Sequence, residues 1–324
     1  TTGLDPNAGD RIISIGAGRI VNQRILKEEI FDELVNPLRA IPPESTRIHC
    51  IDDEMVRFKP GIEKILPMFY QFAADTILVS MADSLRSFMS REQAMRVQSS
   101  TGHPQFEQPY GPTVPAYYAL IGQAHMAEFG TTAEQFAEVA VSCRAHAALN
   151  PTAQMREPIT VEDVLASRMI ADPLHLLDCS LVSDGGAAVI VTSAERARDL
   201  PHQPVYLLGV GEGHSHEHIS QAADLTTSAA RESGERAYAM AGLGPGDIDF
   251  AQLYDCFTPT VLVELEDLGF CAKGEGGPFL QSGATRPGGA LPVNTHGGML
   301  SHCHPGNPGA MFALTETVWQ LRRA

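Results

Sequence analysis

The sequence is short of basic residues, of aromatic rings and of long apolar runs, and the shortages narrow its function. Lysine and arginine number 23 against 39 aspartates and glutamates, a formal net charge of −16. A surface of that sign repels polyanions, so neither nucleic acid nor an anionic membrane is expected as the main partner. No stretch approaches the roughly 18 consecutive apolar residues that a spanning helix needs, so no membrane span is expected. The first ten residues, TTGLDPNAGD, lack the basic-then-apolar order of a secretory signal, and the chain reads as cytoplasmic. Six cysteines, Cys50, Cys143, Cys179, Cys256, Cys271 and Cys303, form no CxxC pair and no compact framework. Reduced thiols are therefore the expectation. What is present is ordinary for a globular protein: 324 residues, 44% hydrophobic and 19% charged, suit one large core or two medium ones.

Periodicity gives an alternating order of elements. Arg11–Ile15 reads as a short strand, Lys27–Arg39 as a helix through Ile30, Leu34 and Leu38, Thr46–Ile51 as a strand, Gly61–Ala73 as a helix and Asp75–Met81 as an apolar strand. The glycines of GAG at 16–18 resemble a dinucleotide loop only weakly, because Val21 stands where its third glycine belongs. After a Gly- and Pro-rich stretch come helices over about 116–129 and 133–149, the second opened by a capping box of Thr131 and Glu134. Further on, Thr160–Ala166, Ala194–Asp199, Thr227–Ala241, Pro259–Leu268 and Ala310–Leu321 read as helices, and Ala187–Thr192, Val205–Val210 and Asp247–Leu253 as strands. Such alternation favours an α/β protein.

Three long runs are specific. Residues 144–200 (RAHAALNPTAQMREPITVEDVLASRMIADPLHLLDCSLVSDGGAAVIVTSAERARDL), 235–276 and 291–309 (LPVNTHGGMLSHCHPGNPG) resemble the sterol-carrier-type thiolases and bacterial lipid-transfer proteins of the thiolase superfamily. The likeness is almost unbroken from Phe106 to Leu321. It implies a thiolase-like five-layer αβαβα sandwich of two similar halves, 1–185 (with a loop region at 86–165) and 186–324. Residues 3–6 already read GLDP and the chain closes just after Leu321, so shortened N- and C-terminal ends are expected. The resemblance further implies a homodimer, an acyl-CoA substrate whose coenzyme A replaces any separately bound cofactor, and a heteromeric partner of the small OB-fold, zinc-ribbon type.

Within those runs, two residues have the physics for thioester chemistry. Tyr254 follows the expected strand 247–253, at the sheet end where ligands gather. His304 lies in a Gly/Pro-rich loop before the closing helix. Their donors together would make an oxyanion hole, each typically worth a factor of about 10²–10³; the family uses the equivalent positions similarly. Cys303 stands where the family's GHP motif has glycine, and is a candidate neighbour of the reacting carbonyl. Asn294, His296, Gly297 and Gly298 of NTHGG read as a substrate-binding wall that lets backbone approach a ligand, or as a plain tight turn. His214, His216 and His218 alternate, but no second cluster pairs with them, so an exposed loop is expected and no metal. Arg86, Arg91 and Arg96 are candidates to meet coenzyme phosphates.

The family's nucleophile motif, NxxCxSG, is absent. Counting back from Asp75 brings Met55 to the nucleophile's place, and a thioether is not acylated; Cys50 falls within an expected strand beside Asp52, Asp53 and Glu54. The resemblance then points to a C–C lyase or aldolase of retro-aldol type, working without an acyl-cysteine. Two alternatives stay open: an acetyl-CoA acyltransferase of Claisen type with Cys303 or Cys50 recruited, and a non-catalytic acyl-CoA or lipid carrier or scaffold.

Overall fold

The computed structural model describes residues 14–21, 24–37, 41, 51–60, 64, 76–88, 90, 93, 102–306 and 308–323. The chain divides into two units, one of Thr1–Leu78 with Ile190–His202, the other of Val79–Val189 with Gln203–Ala324.

In the first unit β1 (Ser14–Val21) and β2 (Arg24–Leu34) form an antiparallel pair from Ser14↔Leu34 to Val21↔Arg24, with a register shift between Gly18 and Ile20. This corrects two expectations. The helix expected over Lys27–Arg39 is strand as far as Leu34, because Ile30 and Leu34, four apart, share a face under a two-residue period as well as under a helical one, and pairing with β1 decides. The GAG glycines lie inside β1 opposite Ile30, Phe31 and Asp32, so they form no phosphate loop. The short helix α1 (Asp53–Val56) is capped by Asp52, which takes the Met55 N–H at 2.9 Å, while Asp53 takes the Ile41 N–H at 2.9 Å. The acidic run is thus a helix start beside a small core of Ile41 and Val56. Cys50, Arg91, Arg96 and most of the elements expected over 46–51 and 61–73 lie outside the described residues.

β3 (Thr76–Asp83) carries an apolar run yet is exposed along its length. The turn of helix α2 (Leu85–Phe88) hangs on Asp184, which accepts the N–H groups of Arg86 and Ser87 at 2.9 Å each. The second unit's core is built by α3 (Val114–Phe129) and α4 (Ala133–Leu149). Phe136, Ala137, Val139, Ala140, Cys143 and Ala147 bury most of the circumference of α4, which small side chains permit by letting neighbours approach closely. Its capping box uses Thr132 and Gln135, one residue beyond the expected pair. The hydroxyl of Thr131 is already engaged with Nδ1 of buried His125 at 2.7 Å.

α5 (Val161–Ala166), capped by Thr160, leads into the small hairpin β4 (Met169–Ala171) and β5 (Leu174–His175). β6 (Gly185–Thr192) pairs with β3, and α6 (Ala194–Arg198) follows it. Residues 205–210 form no strand among the described residues, and the Leu207 and Leu208 side chains are exposed. The expected strand at 247–253 reduces to a single parallel bridge, Ala251↔Val293. α7 (Ala230–Ala241), α8 (Thr258–Asp267), α9 (Gly276–Gln281) and α10 (Gly309–Leu321) complete the unit. α4 packs against α5, α8, α9 and the wide turn Gly298–His302. No helix among the described residues is long and apolar enough to cross a membrane.

Candidate active site

The bridge Ala251↔Val293 aligns two loops, and Asn294 locks them. Its N–H donates to the Ala251 carbonyl at 2.9 Å and its Oδ1 accepts the Leu253 N–H at 2.8 Å. Asn294 is fully buried with φ 55°, a left-handed conformation that asparagine tolerates better than most residues. One residue beyond Leu253 stands Tyr254, 41% exposed. Next to it Asp255 is buried and accepts the Met299 N–H at 2.8 Å, the Leu300 N–H at 3.2 Å and the Cys143 thiol at 3.4 Å. Burial raises its carboxyl to about 6 against those hydrogen bonds, which lower it.

Gly297 (φ 105°) and Gly298 (φ 65°) let the 294–304 loop fit here: a Cβ on Gly297 would stand 2.6 Å from Ala147 Cβ, and one on Gly298 would fall on the Asp255 carboxylate. His296 is 5% exposed, donates from Nδ1 to Gln252 Oε1 at 3.1 Å and meets His302 edge-on. Burial pushes it down to about 3, so it is neutral at physiological pH. Asn294, His296, Gly297 and Gly298 therefore form the buried underside of the loop.

The loop returns His304 to Tyr254. The phenol oxygen lies 3.4 Å from His304 Nε2, with the rings edge to face at 6.1 Å. Burial, then Cys256, Asp255 and Glu264, raise the phenol to about 12, and burial lowers the imidazole. Both are neutral at pH 7. Cys303, next in the chain, is 7% exposed, with Sγ 3.8 Å from His302 Nδ1 and its thiol pushed up to about 11 by burial. Burial likewise lifts Cys179, Cys256 and Cys271 to about 12 and Cys143 well above its usual value. No described cysteine is thus a ready nucleophile.

Three residues at the site escaped sequence reasoning. Ser180 Oγ lies 2.9 Å from His304 Nδ1; Ser183 Oγ accepts the His304 N–H at 2.7 Å; and Glu264 Oε2 accepts the Tyr254 N–H at 3.0 Å. The only sequence signal for the serines is their i, i+3 spacing in SLVS, which is too common to notice. Glu264 is raised to about 8, by burial first. Ionising it costs the folded state, so stability present in full below the ordinary glutamate pKa is lost as pH rises toward about 8. Thermal melts of Glu264→Gln across pH 4–9 should accordingly gain on the unsubstituted protein by up to about 5 kcal/mol between the two ends. A pH-independent difference would contradict the assignment.

The histidine trio does not converge: His214 pairs with Glu212, His216 with Ser215, and His218 packs on His103 near Glu107. Among the described residues no group of three or more His, Cys, Asp or Glu is placed to hold a metal ion.

Residues 211–324 match the family profile described as thiolase C-terminal domain-like, and residues 1–100 match one described as exonuclease. Acetyl-CoA acetyltransferase of Methanothermobacter thermautotrophicus is 35% identical over 315 residues, covering 95% of this chain and 78% of that protein. The chain belongs to the thiolase superfamily. Within that superfamily it is similar to steroid side-chain-cleaving aldolase of Thermomonospora curvata, at 46% identity over 60% of this chain and 52% of the relative. It is also similar to 17-hydroxy-3-oxo-4-pregnene-20-carboxyl-CoA lyase of Mycobacterium tuberculosis, at 42% identity over 67% and 57%. It thus spans little more than half the length of these two thiolase-like lyases. Among solved structures, the Ltp2-ChsH2(DUF35) aldolase superposes with a TM-score of 0.70 at 38% identity, covering 80% of this chain and 67% of that one. The fold is therefore the thiolase-like α/β fold. The exonuclease match touches none of the residues around Tyr254 and His304.

Proposed function

We propose that this protein cleaves or forms the carbon–carbon bond beside the carbonyl of a coenzyme A thioester by aldol chemistry, without an acyl-cysteine. The observation that carries the reading is the Tyr254 hydroxyl at 3.4 Å from His304 Nε2, one polar pair on an otherwise thiol-inert surface. In a 3-hydroxyacyl-CoA, removal of the hydroxyl proton lets the Cα–Cβ bond break, its electron pair passing to the thioester as an enolate that is then protonated at Cα. Such a reaction needs an acid/base and a donor for the oxyanion. Tyr254 is the acid/base in this reading and His304 the donor. Coenzyme A enters with the substrate, and the buried loop of Asn294, His296, Gly297 and Gly298 supports the wall against which the thioester lies.

The names of the relatives support an acyl-CoA substrate, and the likeness to the Ltp2-ChsH2(DUF35) aldolase supports a heteromeric partner; that the partner is of the small OB-fold, zinc-ribbon type and that this chain forms a homodimer rest on the family resemblance alone. A cytoplasmic setting suits thiols that are free throughout the described residues.

The test is incubation with 17-hydroxy-3-oxo-4-pregnene-20-carboxyl-CoA, with products and intact protein followed by mass spectrometry. A 17-ketosteroid and propionyl-CoA should appear with no mass added to the protein. An acyl adduct on Cys303 would instead establish acyl transfer. Tight binding without turnover, unchanged in Tyr254→Phe, would establish a carrier.

A further inference from the structure

We infer that Ser180 is a positioning residue that fixes the tautomer of His304, putting the imidazole proton on the Nδ1 side and leaving Nε2 as an acceptor for the Tyr254 hydroxyl; this rests on the role proposed for that pair.

The segment 180–183 is tied to both arms of the site. Ser180 N–H donates to the Cys256 carbonyl at 2.9 Å, two residues beyond Tyr254, and Leu181 N–H donates to the Met299 carbonyl at 3.0 Å. Ser183, 1% exposed, holds the His304 backbone twice: its N–H donates to the His304 carbonyl at 3.2 Å and its Oγ accepts the His304 N–H at 2.7 Å. With the backbone clamped, the ring meets Ser180 Oγ through Nδ1 at 2.9 Å and Tyr254 through Nε2 at 3.4 Å. Both hydroxyls can accept or donate, but the phenol is the more acidic of the two and so the stronger donor. A neutral imidazole has one N–H to give. Directing it toward Ser180 leaves Nε2 with a lone pair to accept the phenol's proton.

The consequence is a relay. As the Tyr254 O–H bond breaks, its proton passes to Nε2 and its electron pair stays on the phenolate oxygen. The phenolate takes the proton of the substrate's 3-hydroxyl; that O–H pair becomes the new carbonyl bond as Cα–Cβ breaks, and the Cα–Cβ pair becomes the enolate. The imidazolium then gives its proton to the enolate at Cα, and every group returns to its starting state. His304 thus acts as a base first and, once cationic, as the donor to the enolate.

The test is long-range ¹H–¹⁵N correlation on the full chain labelled at histidine, with the His304 signals assigned by their loss in His304→Asn. An Nδ1–H, Nε2-unprotonated pattern is expected, becoming mixed in Ser180→Ala and restored in Ser180→Thr. With the steroid CoA ester, Ser180→Ala should lower kcat by about tenfold, the order of one hydrogen bond, at unchanged KM, and Ser180→Thr should recover most of it. An Nε2–H tautomer in the unsubstituted protein, or an unchanged tautomer in Ser180→Ala, overturns the inference. If the tautomers behave as expected but no thioester is turned over, the functional reading fails and the role of Ser180 stands.

Discussion

Replacing Tyr254 with phenylalanine should lower kcat for thioester cleavage by about 10²–10³-fold, the usual effect of removing one acid/base or oxyanion donor, with KM and stability nearly unchanged. The substitution removes one oxygen and keeps the ring, so the edge-to-face contact with His304 survives. At 41% exposure the side chain is no core element, and its backbone N–H remains bound to Glu264. A change in thermal midpoint of more than a few degrees would mark a structural role instead. Turnover within twofold of the unsubstituted protein would remove Tyr254 from the chemistry altogether. His304→Ala offers a less clean comparison, because it also vacates the ring against which Ser180 is held.

Gly298→Ala should be strongly destabilising, costing about 3 kcal/mol or more in denaturant unfolding. Two effects add. The residue sits at φ 65°, where an alanine costs roughly 1 kcal/mol. The new Cβ would also fall on the Asp255 carboxylate, which is held by two backbone N–H groups and a thiol and has no direction in which to retreat. Gly288→Ala is the control: φ is 78°, and nothing lies within 4 Å of its would-be Cβ, so only the conformational part of the loss is expected. Equal losses in the two variants would show that the 294–304 loop is not seated on Asp255 as described. Because that loop carries His304, Gly298→Ala should also lose activity out of proportion to its remaining folded fraction.

How far the sequence revealed all this differs along the chain. From Phe106 onward its long motifs identified the family, and helices with broad apolar faces, such as 133–149, were legible to within a residue or two. Tyr254 and His304 were legible as well, and the fold brings them together. Elsewhere local pattern was ambiguous. Ile30 and Leu34 satisfy helix and strand alike, and only the partner strand tells which; Thr131 and Thr132 both open a capping pattern, and only the tertiary claim of His125, six residues back on the preceding helix, on the first leaves the second to cap. Strands expected at 205–210 and 247–253 had the right residues but lack a ladder among the described residues. The supporting shell was illegible for another reason: Ser180, Ser183 and Glu264 matter through contacts across 124, 121 and 10 residues, and no spacing announces them.

The five described cysteines have a chemical consequence for whatever ester is held nearby. Burial lifts every one of them above the ordinary thiol value, so each is held in its protonated form at neutral pH. In the proposed reaction, sulfur-for-sulfur exchange between these five thiols and a bound coenzyme A ester would then be suppressed, and the acyl chain would stay on its carrier while bonds elsewhere in it are broken. A superfamily best known for parking acyl groups on protein sulfur would here leave its cargo undelivered on purpose, making the thioester an electron sink and not a leaving group.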